Sequence, residues 1–167
     1  MSQPTTQARE LSQYLTFILD GEEYGVPILK VNGIQGFERT TPIPNAPAYV
    51  MGIINLRGEV VPIINLRKRF GLQEGTLDAH TVVIVVRVEQ ADKTRTVGLV
   101  VDAVADVYDI KDENLHSTPD FGGKISDTFV RGLGMINEKL VILLEIDHLI
   151  DWKRVAEPEP EAATAAA

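Results

Sequence analysis

The stretch Gly52 to Gly71, GIINLRGEVVPIINLRKRFG, constrains the fold most, because a shortened copy of its pattern returns at Gly134 to Ile150, GMINEKLVILLEIDHLI. Aligning Gly52-Ile53-Ile54-Asn55 with Gly134-Met135-Ile136-Asn137, and omitting Leu56-Arg57 from the first turn, pairs Val60 to Ile64 with Leu140 to Leu144. Each copy reads as strand, tight turn, strand. On this alignment only the first hairpin carries an arginine, Arg57, at its tip. An upstream block repeats too: Gly25-Val26-Pro27-Ile28, then Val31 and Ile34, match Gly98-Leu99-Val100-Val101, then Val104 and Val107. A spacing of roughly 75 residues is too long for a solenoid or propeller array, so the chain is expected to form two similar small lobes in tandem.

With 167 residues, 44% of them apolar, the chain suits one ordinary domain or two small lobes that share an interface. No run reaches the ~18 to 20 apolar residues of a membrane span, and Met1 to Gln13 lacks the apolar stretch of a signal peptide. A cytoplasmic location is the expectation. The absence of cysteine excludes disulfides, thiolate metal sites and cysteine nucleophiles. A formal net charge of -8 argues against nonspecific binding to nucleic acid or anionic lipid, both of which need a positive field.

Residues 1–13 are polar and unpatterned, and are expected to be a mobile arm. Tyr14 to Leu19, the Asp20-Gly21 turn and Glu22 to Val26 read as a hairpin. The three-residue spacing of Ile28, Val31 and Ile34 suggests a short helical turn, limited by Pro27 and Gly33. Thr41 to Pro47 is dense in proline and predicts a loop with an exposed Ile43. Leu66 to Phe70 reads as a brief helix, and Gly71 to Ala79 as the connection between lobes. The run Thr81 to Val88 is the strongest strand signal, returning through Thr96 to Val101. His116 to Asp127 reads as a loop, Thr128 to Ile146 as a hairpin, and Asp147 to Arg154 ends in a short helix. The acidic, proline-containing and then alanine-rich end, 153–167, has nothing large to bury and is expected to be disordered. Short strands at this spacing favour small barrels over a long-stranded sandwich.

The residue chemistry is sparse. His80, His116 and His148 stand in no metal-ligand spacing, and Gly132-Leu133-Gly134 precedes a strand without the third glycine or lysine of a phosphate loop. No G-x-S-x-G nucleophile signature occurs. The carboxylates Glu22, Glu23, Asp102 and Asp106 read as solvated turn charges. Arg57 is different: at the tip of a stiff turn its guanidinium keeps five donors free, which suits either solvent or a partner carboxylate. Val31, Ile34, Val104 and Val107 fit a core or a groove between lobes equally well.

Four ordered segments carry a family resemblance: EEYGVPILKV from Glu22, NLRGEVVPIINLRKRFG from Asn55, GLVVDAVADV from Gly98 and RGLGMINEKLVILLEI from Arg131. Across about Tyr14 to Trp152 the chain resembles the CheW family of chemotaxis coupling proteins. The resemblance implies a mainly β fold, two five-stranded SH3-like barrels packed around a shared hydrophobic seam, with lobes of about 14–75 and 76–152 and strand exchange between them left open. It implies no catalytic activity and no cofactor. It also implies a scaffold at cytoplasmic receptor arrays, bridging the signalling tip of chemoreceptors and the regulatory domain of the histidine kinase CheA. By motif position, Val31, Ile34, Asn55, Arg57, Gly98, Val104 and Val107 would face the receptor, and Thr41 and Ile43 the kinase.

Two positions depart from the family pattern: Gly33 stands where members often carry an acid, and Asn65 where they carry aspartate, although Asn65 can still cap the helix at Leu66. A receiver-fused relative or the kinase itself would need further domains, so the stand-alone coupling protein is the expected type. The competing expectation is a ligand-binding or enzymatic two-lobed β protein with its pocket at the seam.

Overall fold

The computed structural model describes residues 13–73, 75, 77–90, 93–111, 115–116 and 129–149. Of the expected arm, 1–13, only Gln13 is described and it opens the first strand; of the expected loop from His116 to Asp127 only His116 is described and it too lies on a strand; the rest of both and the tail 153–167 lie outside the described residues. Eleven strands, β1 Gln13–Leu19, β2 Glu22–Pro27, β3 Val31–Gly36, β4 Val50–Leu56, β5 Glu59–Asn65, β6 Val82–Gln90, β7 Lys93–Val101, β8 Ala103–Asp109, β9 Leu115–His116, β10 Val130–Ile136 and β11 Lys139–Leu144, dominate the described chain. They form a six-stranded sheet in the order β8-β1-β2-β11-β10-β9 and a five-stranded sheet in the order β3-β6-β7-β5-β4.

The sheets cut across a division at residue 75. Each takes its leading hairpin from the other half of the chain: β1–β2 joins β8, β10 and β11, while β6–β7 joins β3, β4 and β5. The joints are the two parallel pairings, Ile63 with Gly98 and Leu143 with Gly25. The glycines that mark the repeat in sequence therefore sit at equivalent joints. At Gly98 a Cβ would stand 2.6 Å from Ile63 Cδ1 and 2.8 Å from Val83 Cγ1, so the closeness of the strands demands glycine. Gly98→Val should overpack this site and cost about 1–3 kcal/mol, which thermal unfolding of the purified variant would register as a lowered midpoint.

Alternation along these strands builds three clusters. The central one joins Leu15, Phe17, Leu19 and Val26 of one sheet to Ile64, Ile84, Val86 and Leu99 of the other. Smaller clusters close each lobe, around Val61, Ile63, Val83 and Val85, and around Tyr14, Ile110, Val141 and Leu143. Through the centre runs an aromatic row, Phe17–Tyr24–Phe70–Phe129, with centroid spacings of 6.0, 5.7 and 5.8 Å. Beside it the Arg69 guanidinium lies 4.5 Å from the Tyr49 ring centroid and 4.4 Å from that of Phe129, and its Nε donates to the Leu149 carbonyl. Among the described residues the seam is packed with side chains.

Three local expectations change. The 3₁₀ turn after Pro27 covers only Ile28–Lys30, and Val31 and Ile34 lie on strand β3, because pairing with β6 captures the backbone. The C-terminal helical signal is a 3₁₀ turn at Ile146–His148, with the positions after Leu149 outside the described residues. Ile43 is half-buried, since Thr41, two residues before it, exchanges backbone hydrogen bonds with Ile53 at 2.9 and 2.8 Å and folds the loop onto β4. That crossing explains Gly52: at φ +147 a Cβ would meet the Thr41 carbonyl oxygen at 2.4 Å. The short helix Leu66–Arg69 forms as expected, with Asn65 Oδ1 accepting from Lys68 N–H at 3.2 Å.

Candidate binding cleft at the first hairpin tip

In the β4–β5 hairpin Leu56 faces Glu59, leaving Arg57 and Gly58 as the two loop residues, with φ of 52° and 87°. Two successive positive φ values match the right-handed twist of the flanking strands. Asn55 Oδ1 accepts the Gly58 N–H at 2.9 Å and locks the turn. Asn55 and Arg57 are exposed, and Arg57 has no hydrogen bond or ion pair among the described residues.

The second hairpin corrects the alignment drawn from sequence. Ile136 faces Lys139 across Asn137-Glu138, and both hairpins carry a register shift at their base, between Val50 and Gly52 and between Val130 and Gly132. The hairpins have equal length, so Gly52 corresponds to Gly132 and Arg57 to Asn137, and Leu56-Arg57 is no insertion. The mistaken pairing followed a coincidental G-x-I-N match, where only register could choose. Asymmetry lies in residue identity alone.

Arg57 overhangs a cleft of about 360 Å³. Asn32 to Gln35 of edge strand β3 line one side, Leu56, Arg57 and Glu59 the other, and Val85 and Thr96 lie between. Ile34, 46% exposed, offers apolar surface at its rim. Gly33 opens the wall, since nothing stands within 4 Å of where its Cβ would be. The arrangement presents one unpaired guanidinium, amide groups and an isoleucine, suited to a segment that brings a carboxylate and apolar contacts.

The duplicated position in the other lobe holds a cleft of only about 50 Å³. Strand registers equate Gln35 with Tyr108 and Thr96 with Glu23, since Gln35 faces Val83 as Tyr108 faces Tyr14, and Gly98 matches Gly25. Tyr108 and Glu23 both line this smaller space. Its tip residues are Asn137 and Glu138 rather than Arg57 and Gly58, and Lys139 takes the place of Glu59. The larger side chains fill the second cleft and leave the first open.

The remaining expected site residues divide. Val31 and Val104 are half-buried and both pack against the central cluster from edge strands of different sheets. Val107 is 44% exposed. Gly98 is buried, so it shapes the floor of the fold rather than offering a surface. Thr41 is exposed on the loop folded over β4.

Sequence reasoning missed a two-pronged ion pair. Asp102 is no solvated turn charge: Arg67 Nε donates to its Oδ1 at 2.9 Å, Arg67 Nη2 to its Oδ2 at 2.5 Å, and the Asp20 N–H to its Oδ2 at 2.9 Å. One carboxylate thus ties the short helix, the β1–β2 turn and the β7–β8 corner together. Partial burial alone would raise the Asp102 pKa; the hydrogen bonds from Arg67 and the Asp20 amide, with the guanidinium charge, outweigh it and hold the carboxyl below its ordinary range. No sequence signal marks this trio, whose members are 35 and 82 residues apart.

A model of the CheW-like domain matches residues 13–154. The chain is similar to the chemotaxis protein CheW of Klebsiella aerogenes, 40% identical over 144 residues that cover 86% of this chain and 84% of that one. It is also similar to the chemotaxis protein CheW of Rhizobium meliloti, 38% identical over 145 residues, 87% of this chain and 89% of that one. Among solved structures it matches the scaffolding protein TtCheW from Thermoanaerobacter tengcongensis with a TM-score of 0.76 and 31% identity, covering 84% of this chain and 92% of that chain.

Proposed function

The chain belongs to the CheW-like family, and since its relatives include chemotaxis proteins and a scaffolding protein, we propose that it couples chemoreceptor signalling tips to the histidine kinase CheA without catalysing a reaction. The observation that carries the receptor side is the open cleft under an unpaired Arg57 on a rigid turn. A receptor helix would lay apolar side chains against Ile34 and the half-buried Val31, and bring a carboxylate to Arg57. Val104 and Val107, at the duplicated positions on β8, extend this contact in the proposal, while Asn55 and Gly98 act by fixing the turn and the strand joint. The loop of Thr41 and Ile43, held on the opposite edge strand β4, is proposed as the kinase side. A place at cytoplasmic receptor arrays follows from that role; no helix among the described residues is long and apolar enough to cross a membrane.

Titration of a receptor cytoplasmic fragment and of the kinase regulatory domain against the wild type and Arg57→Glu tests the reading. Receptor affinity is expected to fall about tenfold or more if the charge pair is worth ~1.4 kcal/mol, with kinase binding retained. Equal receptor affinity in a normally folded variant would remove Arg57 from the site, and failure of the wild type to bind either partner would end the proposal.

A further inference from the structure

We infer that Gly33 is a specificity-determining position of the cleft: by withholding a side chain, it leaves the Arg57 charge available and selects partner helices that supply their own acidic residue. The inference rests on the receptor-coupling reading above and goes further by naming what sets the cleft's charge. Gly33, on strand β3, and Arg57, at the tip of the β4–β5 turn, line the same space. Gly33 lines the cleft and its surroundings are empty to 4 Å, so a side chain there would enter open space rather than packed atoms. Its φ lies outside the positive range, so the backbone does not require glycine. Gly33 also falls at the register shift between β3 and β6, on an edge strand, where no neighbour on its outer side constrains a longer residue. Fold and backbone therefore leave the position free, and the consequence of glycine is confined to the cleft.

Among the described lining residues Glu59 is the single carboxylate, and it makes no ion pair with Arg57. Adding a carboxylate at position 33 would give Arg57 an intramolecular partner and repel an incoming acid. Adding an amide of the same length would fill equal volume without charge. The pair Gly33→Glu and Gly33→Gln separates charge from bulk, because the two side chains differ by little else.

The experiment compares four proteins, wild type, Gly33→Glu, Gly33→Gln and Arg57→Glu, in titrations with one receptor cytoplasmic fragment at low and high salt. Thermal unfolding of each first establishes that the variants fold, which the open surroundings of Gly33 lead us to expect. The inference expects Gly33→Glu to bind roughly tenfold more weakly than Gly33→Gln at low salt, with the gap narrowing as salt screens the charges. Equal affinities for the two Gly33 variants, with Arg57→Glu still impaired, would overturn the role of Gly33 and leave the coupling reading intact. Unimpaired binding by Arg57→Glu would remove Arg57 from the site and overturn the role of Gly33, whereas failure of the wild type to bind either partner would end the coupling reading itself.

Discussion

Replacing Phe70 by alanine should destabilise the protein by about 3–5 kcal/mol, the largest effect expected of any single substitution considered. Phe70 is 2% exposed and stands in the middle of the aromatic row, stacked on Tyr24 at 5.7 Å and tilted against Phe129 at 5.8 Å. Tyr24 comes from the sheet built mainly on the C-terminal half, whereas Phe70 follows the β5 strand of the other. Truncation therefore opens a cavity at the place where both sheets meet, and the rigid neighbours cannot collapse into it fully. Small domains have only about 5–15 kcal/mol of stability in total, so the variant should lose a large share of it and unfold at a clearly lower denaturant concentration. Guanidinium titration followed by circular dichroism is the measurement. The expectation is one cooperative transition at a lowered midpoint, because reciprocal exchange of the leading hairpins makes each sheet depend on both halves. Two separate transitions would show that the lobes fold independently and would contradict the shared core.

Asp102→Asn should cost about 2 kcal/mol at neutral pH, since hydrogen bonds to charged groups contribute more than neutral ones and the partner guanidinium loses its nearest counter-charge. The side chains of Arg67 and Asp102 are 19% and 31% exposed, which keeps the pair short of a fully buried one and limits the loss. Arg67 retains the Gln73 carbonyl at 2.8 Å and the outer Asp20 carboxylate at 3.6 Å, which soften the effect further. The pH dependence has a definite sign. The Asp102 carboxyl is held below its ordinary range in the folded protein, so its contribution is fully present above the unfolded value of about 3.9 and is lost as the pH falls through the folded one. Denaturation midpoints of wild type and Asp102→Asn should lie apart at pH 7 and converge under strongly acid conditions. A gap that stays constant across that range would mean that packing, not the charge, holds the corner.

Much of this was legible along the chain. Period-two alternation and turn residues located the hairpins, since both are local properties of a pleated strand and a positive-φ turn. Arg57 stood out for the same reason: a tip residue is recognisable from its neighbours. Register was not legible. The equation of Gly52 with Gly134 rests on a local match, and only the paired bulges at Gly52 and Gly132 place the two tips in line. Val31 and Ile34 suit a helical turn or a strand, and only pairing with β6 chose the strand. Asp102 and Arg67 carry no mutual signal, because their meeting depends on a corner that exists after both sheets have formed.

The sequence by itself determined that the chain is β-rich, duplicated and without cysteine chemistry, and its ordered motifs carried the family. Those properties follow from residue types and short spacings, which act before any distant contact is made. Tertiary structure alone decided that the halves exchange their leading hairpins, and that one of two equivalent clefts stays open. Apolar strands of similar length can pair in either arrangement, so local preference cannot separate them; burial of a common core selects the partners. Likewise a cleft is the space left by side chains from separate strands, and its opening beside Arg57 depends on Gly33, Gln35 and Thr96 arriving there together.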